Sequence, residues 1–543
     1  MIADPGSPVL FLGFDAAEPE LVQQGIQEGW MPGMAALVQE GRCVPLFPMP
    51  SHFHNTAWVS TITGTDVGDH QTVLDRQLVH GSYRIVHVRA DQLRRPPFWR
   101  YLSDAGISST VVSTYGAPVL ESFQGVQVQG WGAVDPYTAK FGESQIDPPE
   151  IETMLRETVG DRHFEYAVKP PRSPSQYRRY RDAMLRSVDE QARGISLLME
   201  RTEWQFFFGS FAESHQSGHL LWHLGDETHP LHDPDASEDL RDSLRAIYRA
   251  IDSSLSRLIE QAPAGCRTFV VNPHGMGPNY VEDPIALILE RGGWLTRRSG
   301  AGWRGERRQW LKRSAWSIAR RVPPARLRIA VKGLLPGDQQ TSAMPLADID
   351  WSATRAFALP GEATSYVRVN LAGREPEGIV RPGGDYERLV DELAETIGRL
   401  VLADSGLPAV ERVVLSAEQF GRPVEGPLPD LCVVWAENGP VRRLSSPKLG
   451  TFDVPFADPR TGNHRHVGFM VGAGPGVAPS GSADLTGPPA SLIDVAPTAL
   501  ALLGVELPTD LPGRPIAAFS GEPHITSFEP EGPARELEQP DRQ

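Results

Sequence analysis

Short apolar runs alternate along the chain with amphipathic stretches of helical period. The first run, Val9 to Phe14, is typical of a strand buried on both faces, and a helical pattern follows it at 19–40. Further strands are predicted at 107–113, 204–211, 267–272, 365–371, 430–436 and 467–472. Helices are also predicted at 237–262, 385–404 and 491–503. This alternation predicts an α/β protein with a mainly parallel central sheet covered by helices.

Composition narrows the class of protein. The chain has 543 residues and 40% hydrophobic content, which is enough for a large core. Its net charge of −16 argues against nonspecific binding to nucleic acid. Three widely spaced cysteines predict no disulfide framework. With no signal-peptide pattern and no apolar run long enough to span a bilayer, we expect a cytoplasmic protein without a transmembrane segment.

One basic segment interrupts this acidic chain. Between Thr296 and Lys332 there are twelve Lys or Arg residues and one acid, Glu306. Two interpretations remain open: a solvated pair of basic helices, or a lid that attracts an anionic substrate or an acidic membrane surface. The predicted domains are a discontinuous core at 1–290 and 345–519, a basic helical insertion or cap at 291–344, and a disordered tail at 520–543.

A histidine pair follows the strand predicted at 204–211. His215 and His219 have i,i+4 spacing, which puts both imidazoles on one face if the segment is helical. Two neutral imidazoles at the end of a strand are typical of half a metal site. Surface or capping histidines are the alternative interpretation.

Other polar groups also lie at the ends of predicted strands. Asp15 ends the first strand, where it is either a metal-binding carboxylate or a helix N-cap. The stretch from residue 51 to residue 70 is dense in hydroxyls and imidazoles, as expected for a strand-to-helix turn that exposes a nucleophile or ligand. His274 follows the strand at 267–272, and His464 precedes the strand at 467–472.

Two further polar groups are given structural interpretations. One is a run of histidines and aspartates whose composition resembles a metal site, and it is predicted to be a loop near the mouth of the candidate site. This run contains His223, Asp226, His229, His232 and Asp233. A second group has Arg368 and Asn370 in the strand predicted at 365–371 and Arg374 after it. These residues could face substrate, but structural salt bridges are the preferred interpretation.

The order and spacing of these segments resemble the alkaline phosphatase superfamily, in particular its type I phosphodiesterase/nucleotide pyrophosphatase branch. The matching elements are Gly13-Phe14-Asp15, Ala57-Trp58 to Thr63-Gly64, Gly68-Asp69-His70, 213–219, His274-Gly275-Met276, Gly462-Asn463-His464, and Ile493 through Gly513-Arg514-Pro515. The resemblance implies a three-layer core and a two-metal site for phosphoryl-ester chemistry. In the family, one metal takes an Asp and two His, the other takes two Asp and one His, and a Thr or Ser attacks phosphorus.

Carried over to this chain, the family pattern is incomplete. It gives the first metal His215, His219 and His464. It gives the second metal Asp15 and His274, with His54 as a candidate third ligand. The chain departs from the family at three positions, since His215 replaces an Asp, Pro273 replaces an Asp, and His54 replaces the Thr or Ser nucleophile.

These departures change the expected chemistry. Three imidazoles favour zinc or another late first-row ion at one or two sites. Because His54 stands at the nucleophile position, one hypothesis is attack by metal-bound hydroxide; the other is attack by Thr56, two residues later. Asn55 and Arg465 are assigned to substrate binding.

The predicted function is a metal-dependent hydrolase of phosphate esters or phosphodiesters. Its predicted partner is a small anionic, phosphate-containing substrate, and no nucleic acid is expected. Two alternatives remain open. One is a transferase or mutase of phosphoryl or related groups on the same scaffold, and the other is a non-catalytic homologue that binds a metal or ligand.

Overall fold

The computed structural model describes residues 7–47, 56–74, 76–88, 93–114, 116–131, 145–160, 170–298, 346, 348–456, 460–480 and 489–520. These residues form two compact units. The first contains the described residues of 1–73, 89–282 and 456–533, and the second contains those of 74–88 and 283–455. Residues 299–344 of the predicted basic insertion and residues 521–543 of the predicted tail lie outside the described residues.

The strands and helices are numbered in chain order. The strands are β1 Val9–Phe14, β2 Arg42–Phe47, β3 Arg76–Leu78, β4 Ile85–His87, β5 Ser109–Val112, β6 Gly125–Gln129, β7 Gln145–Asp147, β8 Phe206–Phe211, β9 Arg267–Asn272, β10 Gly275–Pro278, β11 Ala356–Leu359, β12 Thr364–Val369, β13 Val401–Leu402, β14 Val410–Leu415, β15 Leu431–Trp435, β16 Arg443–Ser446, β17 Gly450–Asp453, β18 Gly462–Arg465, β19 Gly468–Ala473 and β20 Ala490–Ser491. The helices are α1 Pro19–Glu28, α2 Pro32–Glu40, α3 Ala57–Thr63, α4 Val67–His70, α5 Trp99–Asp104, α6 Glu150–Thr158, α7 Pro174–Arg201, α8 Glu213–Gly225, α9 Glu238–Arg241, α10 Ser243–Gln261, α11 Ile285–Arg291, α12 Gly384–Gly398, α13 Ser416–Gln419, α14 Val495–Leu502 and α15 Ala517–Ser520. None of these helices is both long and apolar enough to cross a membrane.

The first unit is built on a nine-stranded sheet of order β20-β2-β19-β9-β1-β8-β5-β6-β7. Strands β9, β1, β8, β5 and β6 are parallel, while β19 runs antiparallel to both β9 and β2. This arrangement confirms the predicted α/β class with a mainly parallel central sheet.

Strand β1 shows why the sheet is covered on both faces. Its alternate side chains Leu10, Leu12 and Phe14 enter a core shared with α2, α7, α8 and α10. Val9 and Phe11 enter a second core shared with α3, α5 and α14. Every residue of β1 is buried, which accounts for its uninterrupted apolar run. The result is three layers, with helices on either side of the sheet.

The structure differs from the sequence predictions in three places. The helix predicted at 237–262 is two helices, α9 and α10, which are separated at Asp242. The helix predicted at 19–40 is two helices, because Gly29 ends α1 with a φ of 79° and Pro32 begins α2. The strands predicted at 365–371 and 430–436 are present as β12 and β15, but they lie in a separate antiparallel sheet of order β11-β12-β15-β14 in the second unit. An apolar run predicts a buried strand and does not specify its neighbours.

Candidate metal centre

Five of the predicted site residues lie at one edge of the central sheet. Because β9, β1 and β8 are adjacent and parallel, their carboxyl ends share this edge. Asp15 directly follows β1, His274 lies between β9 and β10, and α8 with its histidine pair begins two residues after β8. His464 lies in β18. This strand pairs with β10 so that His464 lies opposite Met276.

Helix α8 brings the histidine pair onto one face, as its spacing predicts. The Nε2 atoms of His215 and His219 are 3.1 Å apart. The helix also packs closely on β18, since a Cβ added at Gly462 would lie 2.2 Å from the carbonyl oxygen of Gly218. This close approach places the Gly462 carbonyl oxygen 2.8 Å from His219 Nδ1.

His464 and His274 complete a group of four imidazoles. The Nε2 atom of His464 lies 2.9 Å from Nε2 of His215, and the ring centroids of His464 and His274 are 4.6 Å apart. His215, His274 and His464 each offer a nitrogen within 4.8 Å of the others. In the part of the chain that the structure describes, no other three His, Cys, Asp or Glu residues come together so closely. The donor set is nitrogen-rich, which suits zinc and other late first-row ions.

The second histidine-rich run, at 223–233, makes hydrogen bonds to other protein groups instead. His223 Nδ1 lies 3.1 Å from the Thr461 hydroxyl, and His232 Nδ1 donates to the His223 carbonyl oxygen at 3.2 Å. The backbone N–H of Leu231 donates to His229 Nδ1. His223 lies in α8, and the residues that follow this helix form a hydrogen-bonded loop.

Asp15 is buried beside the imidazole group and contacts it directly. Its Oδ2 is 2.8 Å from His215 Nδ1, and its Oδ1 accepts a hydrogen bond from Trp58 Nε1 at 2.6 Å. The Nε2 atom of His274 is 3.5 Å from Oδ1. Burial alone would raise the pKa of Asp15, but His215, His274 and the Trp58 indole together lower it below its usual value. Asp15 is therefore held as a carboxylate.

His219 is held in its neutral form. Burial lowers its pKa well below the usual value, and the nearby charges of His215 and Arg460 lower it further. The effect of Arg460 shows that a positive charge lies near this imidazole. Sequence reasoning missed Arg460, because one arginine in a polar stretch carries no motif.

The predicted nucleophile region is only partly described. His54 and Asn55 lie outside the described residues. Thr56 is buried at the residue before α3, and Trp58, two residues later, donates to Asp15. The start of α3 is therefore close to the carboxylate.

His70, which lies in one of the matching motifs, is a structural residue. The Thr72 N–H donates to its Nδ1 at 3.1 Å, so the proton is on Nε2, which lies 3.1 Å from the Ser60 hydroxyl oxygen. Burial lowers the pKa of His70 to about 3. The imidazole is thus neutral and joins α4 to α3.

Arg465, assigned to substrate binding from the sequence, contacts two acids. Its Nη1 lies 3.3 Å from Glu18 Oε1 and 3.6 Å from Glu20 Oε2. Glu18 is buried and also accepts the Met276 N–H at 2.9 Å. Burial raises the pKa of Glu18 to about 7, although Arg465 and the Met276 N–H lower it in part. Sequence reasoning missed Glu18 because an acid beside the start of a helix is common.

No protein-family model matches the chain, and no curated protein matches its sequence. The chain is similar in structure to phosphonoacetate hydrolase from Sinorhizobium meliloti 1021, solved with phosphonoformate, with a TM-score of 0.51 at 14% identity over 92% of this chain and 96% of that one. It is also similar to human ectonucleotide pyrophosphatase / phosphodiesterase 5, with a TM-score of 0.46 at 10% identity over 94% and 98% of the two chains. The likeness to phosphonoacetate hydrolase shows the fold alone, and this is the alkaline-phosphatase-like α/β core that the sequence motifs predict.

Proposed function

We propose that this protein is a metal-dependent hydrolase of phosphate esters or phosphodiesters. The observation that supports the proposal most strongly is the group of four imidazoles beside Asp15 at the carboxyl edge of β9, β1 and β8. This edge is the usual position of a ligand site in an open α/β sheet. A scaffold shared with a phosphonate hydrolase is in keeping with chemistry at phosphorus.

The donor set favours zinc over magnesium or calcium, because imidazole nitrogens prefer late first-row ions. When bound, such a cation polarises a phosphoryl oxygen and increases the acidity of water. The protein would hold it through neutral imidazoles, and burial keeps His219 in that form. Arg460 would add positive charge for an anionic substrate, because its guanidinium already acts on His219.

Water is the proposed nucleophile, because His54 stands where the family has Thr or Ser. Thr56 is the competing candidate, since it is buried next to α3. Thr56→Val removes the hydroxyl with little change in volume. If water attacks directly, this variant keeps its turnover; loss of turnover together with a phosphorylated Thr56 in the wild-type protein would favour the threonine.

The first experiment measures zinc content and the turnover of nitrophenyl phosphate monoesters and diesters. We expect zinc-dependent turnover that a chelator abolishes. A His215→Ala/His219→Ala double variant should lose both zinc and activity, because two of the four imidazoles are removed. His80→Ala is the control, since His80 is exposed and lies outside the group.

Three results would contradict the proposal in different ways. A protein that binds no zinc would not be a metal-dependent hydrolase. Bound zinc without turnover would favour the binding homologue. Turnover only when an alcohol is added as acceptor would favour the transferase.

A further inference from the structure

His274 and His464 reach the candidate metal centre from one two-stranded ribbon, which is formed by β10 and β18. His274 directly precedes β10, and His464 lies in β18 opposite Met276. Their ring centroids are 4.6 Å apart, and each offers a nitrogen within 4.8 Å of one on His215 in α8. A two-stranded ribbon is only marginally stable by itself, so other parts of the fold must fix the position of both imidazoles.

The Glu18 carboxylate contacts both strands of this ribbon. Glu18 lies directly before α1 and is 4% exposed. Its Oε2 accepts the Met276 N–H of β10 at 2.9 Å, and its Oε1 lies 3.3 Å from Nη1 of Arg465 in β18. Hydrogen bonds to a charged acceptor are stronger than those between neutral groups. One carboxylate therefore holds both strands in place.

The backbone at Glu18 is fixed by side chains of α10 and β9. The Glu18 N–H donates to the Tyr248 hydroxyl at 2.9 Å, and Tyr248 is fully buried against Phe14 of β1. The preceding residue, Ala17, is bound on both sides by Asn272, whose side chain accepts the Ala17 N–H at 3.2 Å and donates to the Ala17 carbonyl oxygen at 2.6 Å. The carboxylate therefore extends from a backbone position that the central sheet and α10 determine.

Two glycines of β10 leave room for the contact with the ribbon. A Cβ added at Gly275 would lie 2.6 Å from Oε2 of Glu18, and one added at Gly277 would lie 2.1 Å from Nε of Arg465. A side chain at either position would displace the carboxylate or the guanidinium. Both charged groups are thus packed closely against β10.

The charge of Arg465 is matched by acids. Besides its contact with Glu18, its Nη1 lies 3.6 Å from Oε2 of Glu20, which is exposed. A guanidinium that faces two carboxylates attracts a phosphate oxygen less than one that faces none, because the nearby negative charges repel the phosphate. The contacts of Arg465 therefore favour a structural role over the substrate binding that the sequence indicated.

Resting on the metal dependence proposed above, we infer that Glu18 is a positioning residue of the metal centre. Through its contacts with both strands, it holds the ribbon so that His274 and His464 face the histidine pair of α8. Arg465 belongs to this arrangement and does not bind the substrate phosphate.

The test measures zinc affinity by competition with a chelator, which requires no turnover of substrate. Glu18→Gln keeps the size of the side chain, but its single amide oxygen can accept from only one of the Met276 N–H and the Arg465 guanidinium in the present geometry. We expect this variant to bind zinc about 10-fold more weakly, the lower end of the effect of an outer partner on metal affinity. Arg465→Gln should weaken zinc binding to a similar extent. The double variant should bind zinc no more weakly than either single variant, because the two residues act as one unit.

A second readout separates positioning from general destabilisation. The visible absorption of the cobalt-substituted protein depends on ligand geometry, and in Glu18→Gln it should differ from that of the wild type. Asp252→Asn is the control for stability, because Asp252 is also buried and accepts the N–H groups of Gly33 and Met34. Its unfolding midpoint should fall, while its zinc affinity and cobalt spectrum should match the wild type. Glu20→Gln is the matched control for charge, since Glu20 faces the same arginine but is exposed; it should bind zinc like the wild type.

The possible results distinguish this inference from the proposed function. Wild-type zinc affinity and an unchanged cobalt spectrum in both Glu18→Gln and Arg465→Gln would overturn the inference and leave the proposed hydrolase intact. A raised KM with wild-type zinc affinity in Arg465→Gln would also overturn it, because the arginine would then bind substrate. Weaker zinc binding in both variants of a protein without turnover would support the inference and contradict the proposed function. If Glu18→Gln does not fold, Arg465→Gln carries the test, since Arg465 is partly exposed.

Discussion

Two clusters of buried polar side chains, one in each unit, differ in how their charges are matched. In the second unit, Arg374 donates to both oxygens of Asp430 at 2.9 and 2.7 Å, and Arg368 Nε donates to Glu375 at 2.6 Å. In the first unit, the imidazole nitrogens of the candidate metal centre face one another. The ion-pair cluster matches two guanidinium groups with two carboxylates, whereas the imidazole cluster brings four imidazoles together beside the one carboxylate of Asp15. Side chains of one type whose nitrogen atoms face one another therefore indicate a ligand site better than a dense group of polar residues does.

The largest expected effect is on the ion-pair cluster. Asp430→Asn leaves Arg374 buried without its full countercharge, and we expect a loss of about 3–5 kcal/mol in the free energy of unfolding. Asp430 also accepts hydrogen bonds from the Val369 N–H and the Tyr386 hydroxyl, which adds to the effect. Urea denaturation measures it.

The control for Asp430 is Asp385→Asn, because Asp385 pairs with Arg388 on the exposed face of α12. An exposed pair contributes about 0–1 kcal/mol. Folded Asp430→Asn protein should bind as much zinc as the wild type. If it loses its zinc, the two clusters are coupled and the contrast between them is incorrect.

A smaller effect is expected when zinc is added to the imidazole cluster. At a free zinc concentration of 100 times Kd, the wild-type protein should gain about 2.7 kcal/mol in the free energy of unfolding, because zinc binds only the folded state. His219→Ala should show almost none of this gain, and His80→Ala should show all of it. Thermal unfolding with and without zinc measures the difference. An equal gain in His219→Ala would mean that zinc binds elsewhere.

The smallest effect on stability is expected at Asp283, a carboxyl group whose two hydrogen-bond donors are both neutral. Asp283 accepts the Ser365 hydroxyl at 2.5 Å and the Ile285 N–H at 3.2 Å. Burial raises its pKa to about 6, although these hydrogen bonds lower it in part. A raised pKa means that the folded state holds the proton more tightly than the unfolded state. The resulting stability is fully present below about pH 4 and is lost as the pH rises through 6.

Asp283→Asn should remove this pH dependence. In the wild type, we expect the contribution of Asp283 to the free energy of unfolding to fall by about 1–2 kcal/mol between pH 4 and pH 7. This is less than the full pKa shift implies, because the side chain is partly exposed. Urea denaturation at several pH values, compared with the wild type, measures it. An unchanged slope in the variant would assign the pH dependence to other groups.

The sequence predicted five of the nine strands of the central sheet and placed ligand candidates beside them, because both depend on local pattern. It missed β2, β6, β7 and β20. Strand β1 is an uninterrupted apolar run, and Asp15 follows it directly. The i,i+4 spacing of His215 and His219 needs only a helix to bring them together. The break at Gly29 and Pro32 was missed because the apolar pattern runs through it.

The salt-bridge interpretation of Arg368 and Arg374 agrees with the structure, but their partners were not predicted. Asp430 lies 56 residues from Arg374 in the chain, and it reaches the arginine because β12 and β15 pair. An apolar run predicts that a strand is buried but does not identify the strand beside it.

The sequence by itself determined which residues are able to bind a metal and that two of them share a helix face. Only the tertiary structure decided which nitrogen of His215 and of His219 carries the proton. His215 and Asp15 are 200 residues apart, and His219 and Gly462 are 243 apart. Their contacts depend on the order of strands in the sheet and on the close packing of α8 against β18. A tautomer is fixed by the hydrogen-bond partner of the opposite nitrogen, and here the fold supplies that partner from a distant part of the chain.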